Sequence, residues 1–157
     1  MAVSLLLPDA KHWSAAPRDS WWRVAHETTN SVLELKRWRA GGLVRPRDCE
    51  AQAVLWRPEL RRADEPLVDQ RRLVTESELE LAVWVHVAQN LDGSTSGHVR
   101  GYGASLRECV TVVFTTTASG HNAPALVAQR LQLISDGLVP SITPIHVEQR
   151  IERRVRQ

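Results

Sequence analysis

The clearest pattern in the chain lies between residues 79 and 139. Leu79, Leu81, Val83, Val85 and Val87 alternate there with Glu80, Ala82, Trp84, His86 and Ala88. A period of two predicts a half-buried strand with one apolar face and one mixed face. The stretch NLDGSTSG from Asn90 to Gly97 is the strongest turn signal present, because Asp92 and Gly93 tolerate the left-handed backbone that a reversal needs. Residues 98 to 104 return as a glycine-interrupted strand. The β-branched run CVTVVFTTT from Cys109 to Thr117 is apolar enough on both faces to lie centrally in a sheet. Beyond it the period changes, and Val127, Leu131, Ile134 and Leu138 fall on one helical face. Asn122 is placed to cap that helix, Pro124 is tolerated in its first turn, and Gly137 is placed to end it in a left-handed cap.

The amino-terminal half reads in the same way. Val3 to Leu7 is a short apolar strand candidate, followed by a polar loop through Pro17. Residues 21 to 26 (WWRVAH) and 32 to 38 (VLELKRW) predict a hairpin joined by Glu27, Thr28, Thr29 and Asn30. Antiparallel pairing puts Trp22 and Val24 on the face of Leu33 and Leu35, and turns Trp21 and Trp38 the other way. After Gly41 and Gly42, Pro46 opens a helix whose positions Cys49, Ala53, Trp56 and Leu60 recur at helical spacing, with Pro58 limiting its length. Leu67 to Val74 predicts an edge strand. Val147, Ile151 and Val155 form a narrow stripe on a last helix at 146–157. Together these elements predict an α+β domain over residues 1–145, a curved antiparallel sheet packed by helices, with a basic carboxy-terminal helix or tail at 146–157.

Composition narrows the class. A chain of 157 residues, 43% hydrophobic and 24% charged, supports one well-buried core and excludes wholesale disorder. No apolar run approaches the length of a membrane span. The opening MAVSLLLPDAKHW has no basic segment ahead of its short apolar core, so it does not read as a signal peptide, and a cytoplasmic location is the default expectation. A net charge of +2 gives weak overall attraction to nucleic acid or acidic membranes. Only Lys11 and Lys36 are lysines. The arginine excess reads first as the codon bias of a GC-rich bacterial genome, although Arg150, Arg153, Arg154 and Arg156 gather near the carboxyl end. Cys49 and Cys109 lack the spacing of a zinc motif and read as reduced core residues. A bridge in an oxidising compartment stays open, since sequence separation says nothing about whether their Cα atoms come within bonding range.

Candidate chemistry is sparse. His86 and His98 flank the predicted turn and approach across it, but no carboxylate stands at ligand spacing, so they read as rim or surface histidines and no metal or cofactor is expected. His26, near the end of its strand, adds little. Gly101-Tyr102-Gly103 lacks the third glycine of the dinucleotide fingerprint and precedes a strand. Neither a nucleophile elbow nor a Walker loop occurs, and no catalytic residue is assigned. The tryptophans say more. Trp21 and Trp38, with Arg37 and Arg39 beside Trp38, have a composition enriched at protein interfaces. The competing expectation is that a helix of the same domain covers them.

Taken in order, WWRVAHETTNSVLELKRW, the helix around CEAQAVLW, the strands LELAVWVHVAQ and HVRGYG, then CVTVVFTTTA and a helix ending in DGLVPSIT resemble the PsbP-like fold group. That group includes photosystem accessory subunits, the Ran-binding Mog proteins and bacterial DcrB-like proteins. The resemblance is one of element order over residues 3–143, and it implies a curved antiparallel sheet packed by helices in an accessory or interaction subunit. The leading functional expectation is therefore a bacterial, non-enzymatic domain that docks on another protein through Trp21, Trp38, Arg37, Arg39 and the basic residues Arg150, Arg153 and Arg154. A homo-oligomer is left open. One alternative is a small-molecule binder or enzyme with an apolar cavity between sheet and helix. Another is a nucleic-acid accessory acting through the arginine-rich tail, against which the near-neutral charge argues.

Overall fold

The computed structural model describes residues 2–4, 7–15, 20–61, 66–75 and 77–145. The expected helix at 146–157, with Arg150, Arg153 and Arg154, lies outside the described residues. In chain order the strands are β1 (Ala2–Ser4), β2 (Ser14–Ala15), β3 (Trp22–His26), β4 (Ser31–Arg39), β5 (Leu67–Val74), β6 (Glu80–Gln89), β7 (Thr95–Ser105), β8 (Glu108–Ala118) and β9 (Thr143–Ile145). The helices are α1 (Pro46–Trp56) and α2 (Ala123–Gln132). Seven strands form one antiparallel sheet in the order β2-β3-β4-β8-β7-β6-β5, and β1 pairs with β9 as a separate ribbon. The class is α+β, an open antiparallel sheet packed by helices.

β8 occupies the middle of this sheet and β5 one edge, as their composition predicts. The hairpin register pairs Trp22 with Leu35 and Val24 with Leu33, so the predicted division of faces holds. One face carries Leu33, Leu35, Leu81, Val83, Val85, Val99, Val112 and Phe114 into the larger core, closed by Val127, Leu131, Ile134 and Leu138. The mixed face is buried too. Trp21, Tyr102, Ala104 and Val113 pack there with Cys49 and Ala53 of α1 and with Leu60. A helix on each side explains why β7 and β8 are buried almost from end to end.

Local chemistry sets the helix ends. At the start of α1 the Asp48 carboxylate accepts the Arg45 N–H at 2.9 Å, satisfying a donor that the first turn leaves open. Around α2 the structure departs from expectation. Asn122 makes no side-chain cap, and Gly137 is not left-handed. The helix instead widens into a π-helical turn at Leu133–Leu138 and tightens into a 3-10 turn at Val139–Ser141. This path keeps Ile134, Leu138, Val139 and Ile142 buried on the sheet, an apolar gain that outweighs a clean helix stop.

The β6–β7 reversal is shorter than its composition suggests. It spans Asn90 to Ser94, with Gly93 at φ 88° and the Asp92 carboxylate accepting the Ser94 N–H at 2.9 Å. Thr95 to Gly97 belong to β7 because each has a partner on both neighbouring strands. Gly97 is also where α2 touches down, and a Cβ there would lie 2.6 Å from Val127 Cγ1. The expected polar loop before Pro17 contains a 3-10 turn at Ala10–His12 and the short edge strand β2, paired with β3. Among the described residues no helix is long and apolar enough to cross a membrane.

Candidate functional site

The face that carries Trp21 and Trp38 is covered from within the domain. Trp21 retains 7% of its accessible surface, and the Arg57 guanidinium stacks over its ring at 4.6 Å. Arg57 in turn holds the Glu34 carboxylate with both terminal nitrogens, at 3.0 and 3.2 Å. The pairing is bidentate and largely buried, the arrangement in which arginine is least replaceable. Trp38 is half-buried and meets Trp56 of α1 edge to face at 4.9 Å. Of the two tryptophans expected to face a partner, Trp21 is therefore an interior residue, because α1 and Arg57 close over it. The outward tryptophan of this hairpin is Trp22, 44% exposed. Arg37 and Arg39 are exposed as well, and strand alternation places them on the same face as Trp22.

His86 and His98 stand directly opposite one another in register, as the sequence suggests. They face α1. Arg100, only 6% exposed, donates to Leu60 O and through Nη2 to His86 Nε2 at 2.9 Å. Arginine has no acceptor, so His86 Nε2 must carry the lone pair. Its guanidinium also lies 5.6 Å over Trp84. The network ties the end of Leu60 to the sheet and is structural in character. Glu50 of α1 feels it: burial raises its carboxyl above the usual range, against the pull of Arg100 and Arg61.

A second cluster lies across the sheet, and no motif in the sequence joins its members. A cavity of about 190 Å³ opens beside α2, lined by Trp13, Phe114, Leu133 and Ile134, with Asp9, His26 and Arg130 among its polar groups. His26 is buried at the end of β3. Its Nδ1 accepts the Thr29 N–H at 3.3 Å and lies 3.0 Å from Thr29 Oγ1. Its Nε2 accordingly carries the proton and donates to Asp9 Oδ2 at 2.8 Å. His12 Nδ1 sits 2.7 Å from the other oxygen, Asp9 Oδ1. These two hydrogen bonds, that of His26 foremost, hold the Asp9 carboxyl below the ordinary range. Asp9, His12 and His26 thus bring three ligand atoms within 4.8 Å of one another.

Behind this cluster is a polar ladder. Thr29 Oγ1 donates to Ser31 Oγ at 2.9 Å, and Ser31 Oγ reaches Thr116 Oγ1 at 3.0 Å. Arg130 of α2 donates to Thr29 O at 2.8 Å and Thr116 Oγ1 at 3.1 Å. Desolvation lowers the Arg130 pKa. The one sequence signal for the cluster was Asp9-x-x-His12, two ligand types three residues apart. Its third member depends on the chain folding back along β3.

The two cysteines are also brought together, and they correct the expectation of reduced core residues. Cys49 of α1 and Cys109 of β8 form a disulfide with Cα atoms 5.6 Å apart. The pairing follows from the helix crossing the sheet at the start of β8, a contact between residues 60 positions apart.

No protein-family model matches the chain, and no curated protein does. Among solved structures, the fold is similar to a crystal structure from Bacteroides thetaiotaomicron VPI-5482 at 1.50 Å resolution. The TM-score is 0.52 at 10% sequence identity, covering 93% of this chain and 46% of that one. The likeness extends to the fold alone. This chain spans about half the length of that structure.

Proposed function

We propose that the chain is a non-enzymatic recognition domain that docks on another protein in an oxidising compartment. The β3–β4 hairpin carries this reading: Trp22, paired with Leu35, is exposed, and Arg37 and Arg39, further along the same face of β4, are exposed as well. Tryptophan and arginine are the side chains that most often dominate binding energy at protein interfaces. The Cys49–Cys109 bridge supports an oxidising compartment, since structural disulfides persist where thiols are not kept reduced. We therefore prefer such a compartment to the cytoplasmic default. The PsbP-like resemblance in element order, in a group that includes accessory subunits, supports the same reading.

A photo-crosslinking residue installed at position 22 in the source cells should give one discrete adduct, weakened by Arg37→Glu with Arg39→Glu. The same residue at Leu91, exposed in the β6–β7 turn, should give none. Equal adducts from both positions would remove the reading. Thiol alkylation of intact cells should leave Cys49 and Cys109 unmodified until a reductant is added.

The cavity beside α2 favours a second reading, binding of a small and mainly apolar ligand. Its volume of about 190 Å³ lies below the roughly 300–1,000 Å³ of most ligand sites, which is why this reading stands second. Occupancy would shift the NMR signal of the Trp13 indole N–H, which donates to Pro8 O at 2.7 Å.

A further inference from the structure

We propose that Asp9, His12 and His26 form a binding site for one divalent transition-metal ion of the zinc, copper or nickel class. Two imidazoles and one carboxylate suit these ions and leave coordination positions open for water or a ligand. The donors come from two places. Asp9 precedes the Ala10–His12 turn and His12 ends it, while His26 is presented from the end of β3. Their ligand atoms already converge within 4.8 Å. The carboxylate bridges both rings, at 2.7 Å to His12 Nδ1 and 2.8 Å to His26 Nε2.

A bound ion replaces those two hydrogen bonds. Metal–ligand bonds of about 2.0–2.2 Å in a tetrahedral site separate neighbouring ligand atoms by roughly 3.3 Å. Each carboxylate–ring contact would lengthen by about half an ångström, and the two ring nitrogens, within 4.8 Å of one another, would settle to a similar separation. His12 is 61% exposed and Asp9 56%, so both have room to move. His26 is the fixed member.

The surroundings of His26 fit the role. Metal-bound histidines donate their second ring N–H to an outer acceptor that holds the ring in place. When Nε2 binds the ion, its proton passes to Nδ1, and Thr29 Oγ1 at 3.0 Å is there to accept it. The Thr29 hydroxyl then donates onward to Ser31 Oγ at 2.9 Å. Arg130 fixes the ladder from the far side through Thr29 O and Thr116 Oγ1. The weak 3.3 Å bond from the Thr29 N–H to Nδ1 is given up in this exchange. Asp9 and His26 also line the 190 Å³ cavity, so an open coordination position adjoins a half-open, mostly apolar space.

The test is titration of the tag-free, disulfide-intact protein with Zn²⁺ and with Cu²⁺, by calorimetry and by copper electron paramagnetic resonance. One ion per chain and hyperfine coupling to two imidazole nitrogens are expected. His12→Gln, at an exposed position, and His26→Gln should each weaken binding about 100-fold, and Thr29→Val about 10-fold or more through the outer contact. Circular dichroism of each variant checks that the fold persists, and His12→Gln keeps the test valid if His26→Gln does not fold. Binding unchanged in His12→Gln, coupling to a single nitrogen, or no saturable binding at millimolar metal would each overturn the site.

Discussion

Gly97 shows how one missing side chain positions a helix. A methyl group there would meet Val127 Cγ1 at 2.6 Å and the Leu131 methyls at 2.9 Å, so α2 rests directly on the backbone of β7. Gly97→Ala should cost about 1–3 kcal/mol by overpacking, measured by urea unfolding at constant m-value. In the sequence, this glycine reads as part of a turn. Nothing local distinguishes a glycine that reverses the chain from one that admits a helix. Glu50 presents the opposite case, a charged residue whose cost comes from its neighbours. Burial raises its carboxyl above the unfolded value of 4.5, so the folded state holds the proton more tightly than the unfolded one. Stability is therefore lost as pH rises from about 4.5 through the raised folded value, and recovered on acidification across that window. Glu50→Gln should melt higher than the parent at neutral pH, with the difference shrinking as pH falls to 4.5. A constant difference across that range would remove the assignment.

At the scale of elements, period and register carry furthest. The alternation from Leu79 to Val87, the β-branched run of β8 and the stripe of α2 are legible because each repeats the spacing of its own geometry. The end of α2 is not. There the sequence offers a glycine stop, while the sheet rewards burial of Ile134, Leu138 and Val139, and the chain widens to keep them in place. The covalent tie between α1 and β8 is equally invisible in local pattern. Cys49–Cys109 closes a loop of 60 residues, which loop-closure entropy values at about 4 kcal/mol. The double substitution Cys49→Ala with Cys109→Ala should lower unfolding free energy by about 2–4 kcal/mol. Dithiothreitol should shift the parent toward the variant and leave the variant's own melting curve unmoved.

For the whole molecule, the deciding feature is that both faces of the sheet are filled. Periodicity predicts that β6 has an apolar face and a mixed one, but a mixed face looks the same whether it meets water, a partner or a helix. Here α1 covers it and turns Trp21 into core, while Trp22, on the other face of the hairpin, stays exposed. The Asp9–His12–His26 cluster arises in the same way, from a segment folded back along β3 that places a distant histidine beside a local pair. Strand and helix periods, the central place of β8 and the division of hairpin faces were thus determined by the sequence alone, because backbone geometry converts spacing directly into direction. Which face is covered, which cysteines meet and which ligand atoms converge were decided only by tertiary structure, since each depends on contacts between residues far apart along the chain.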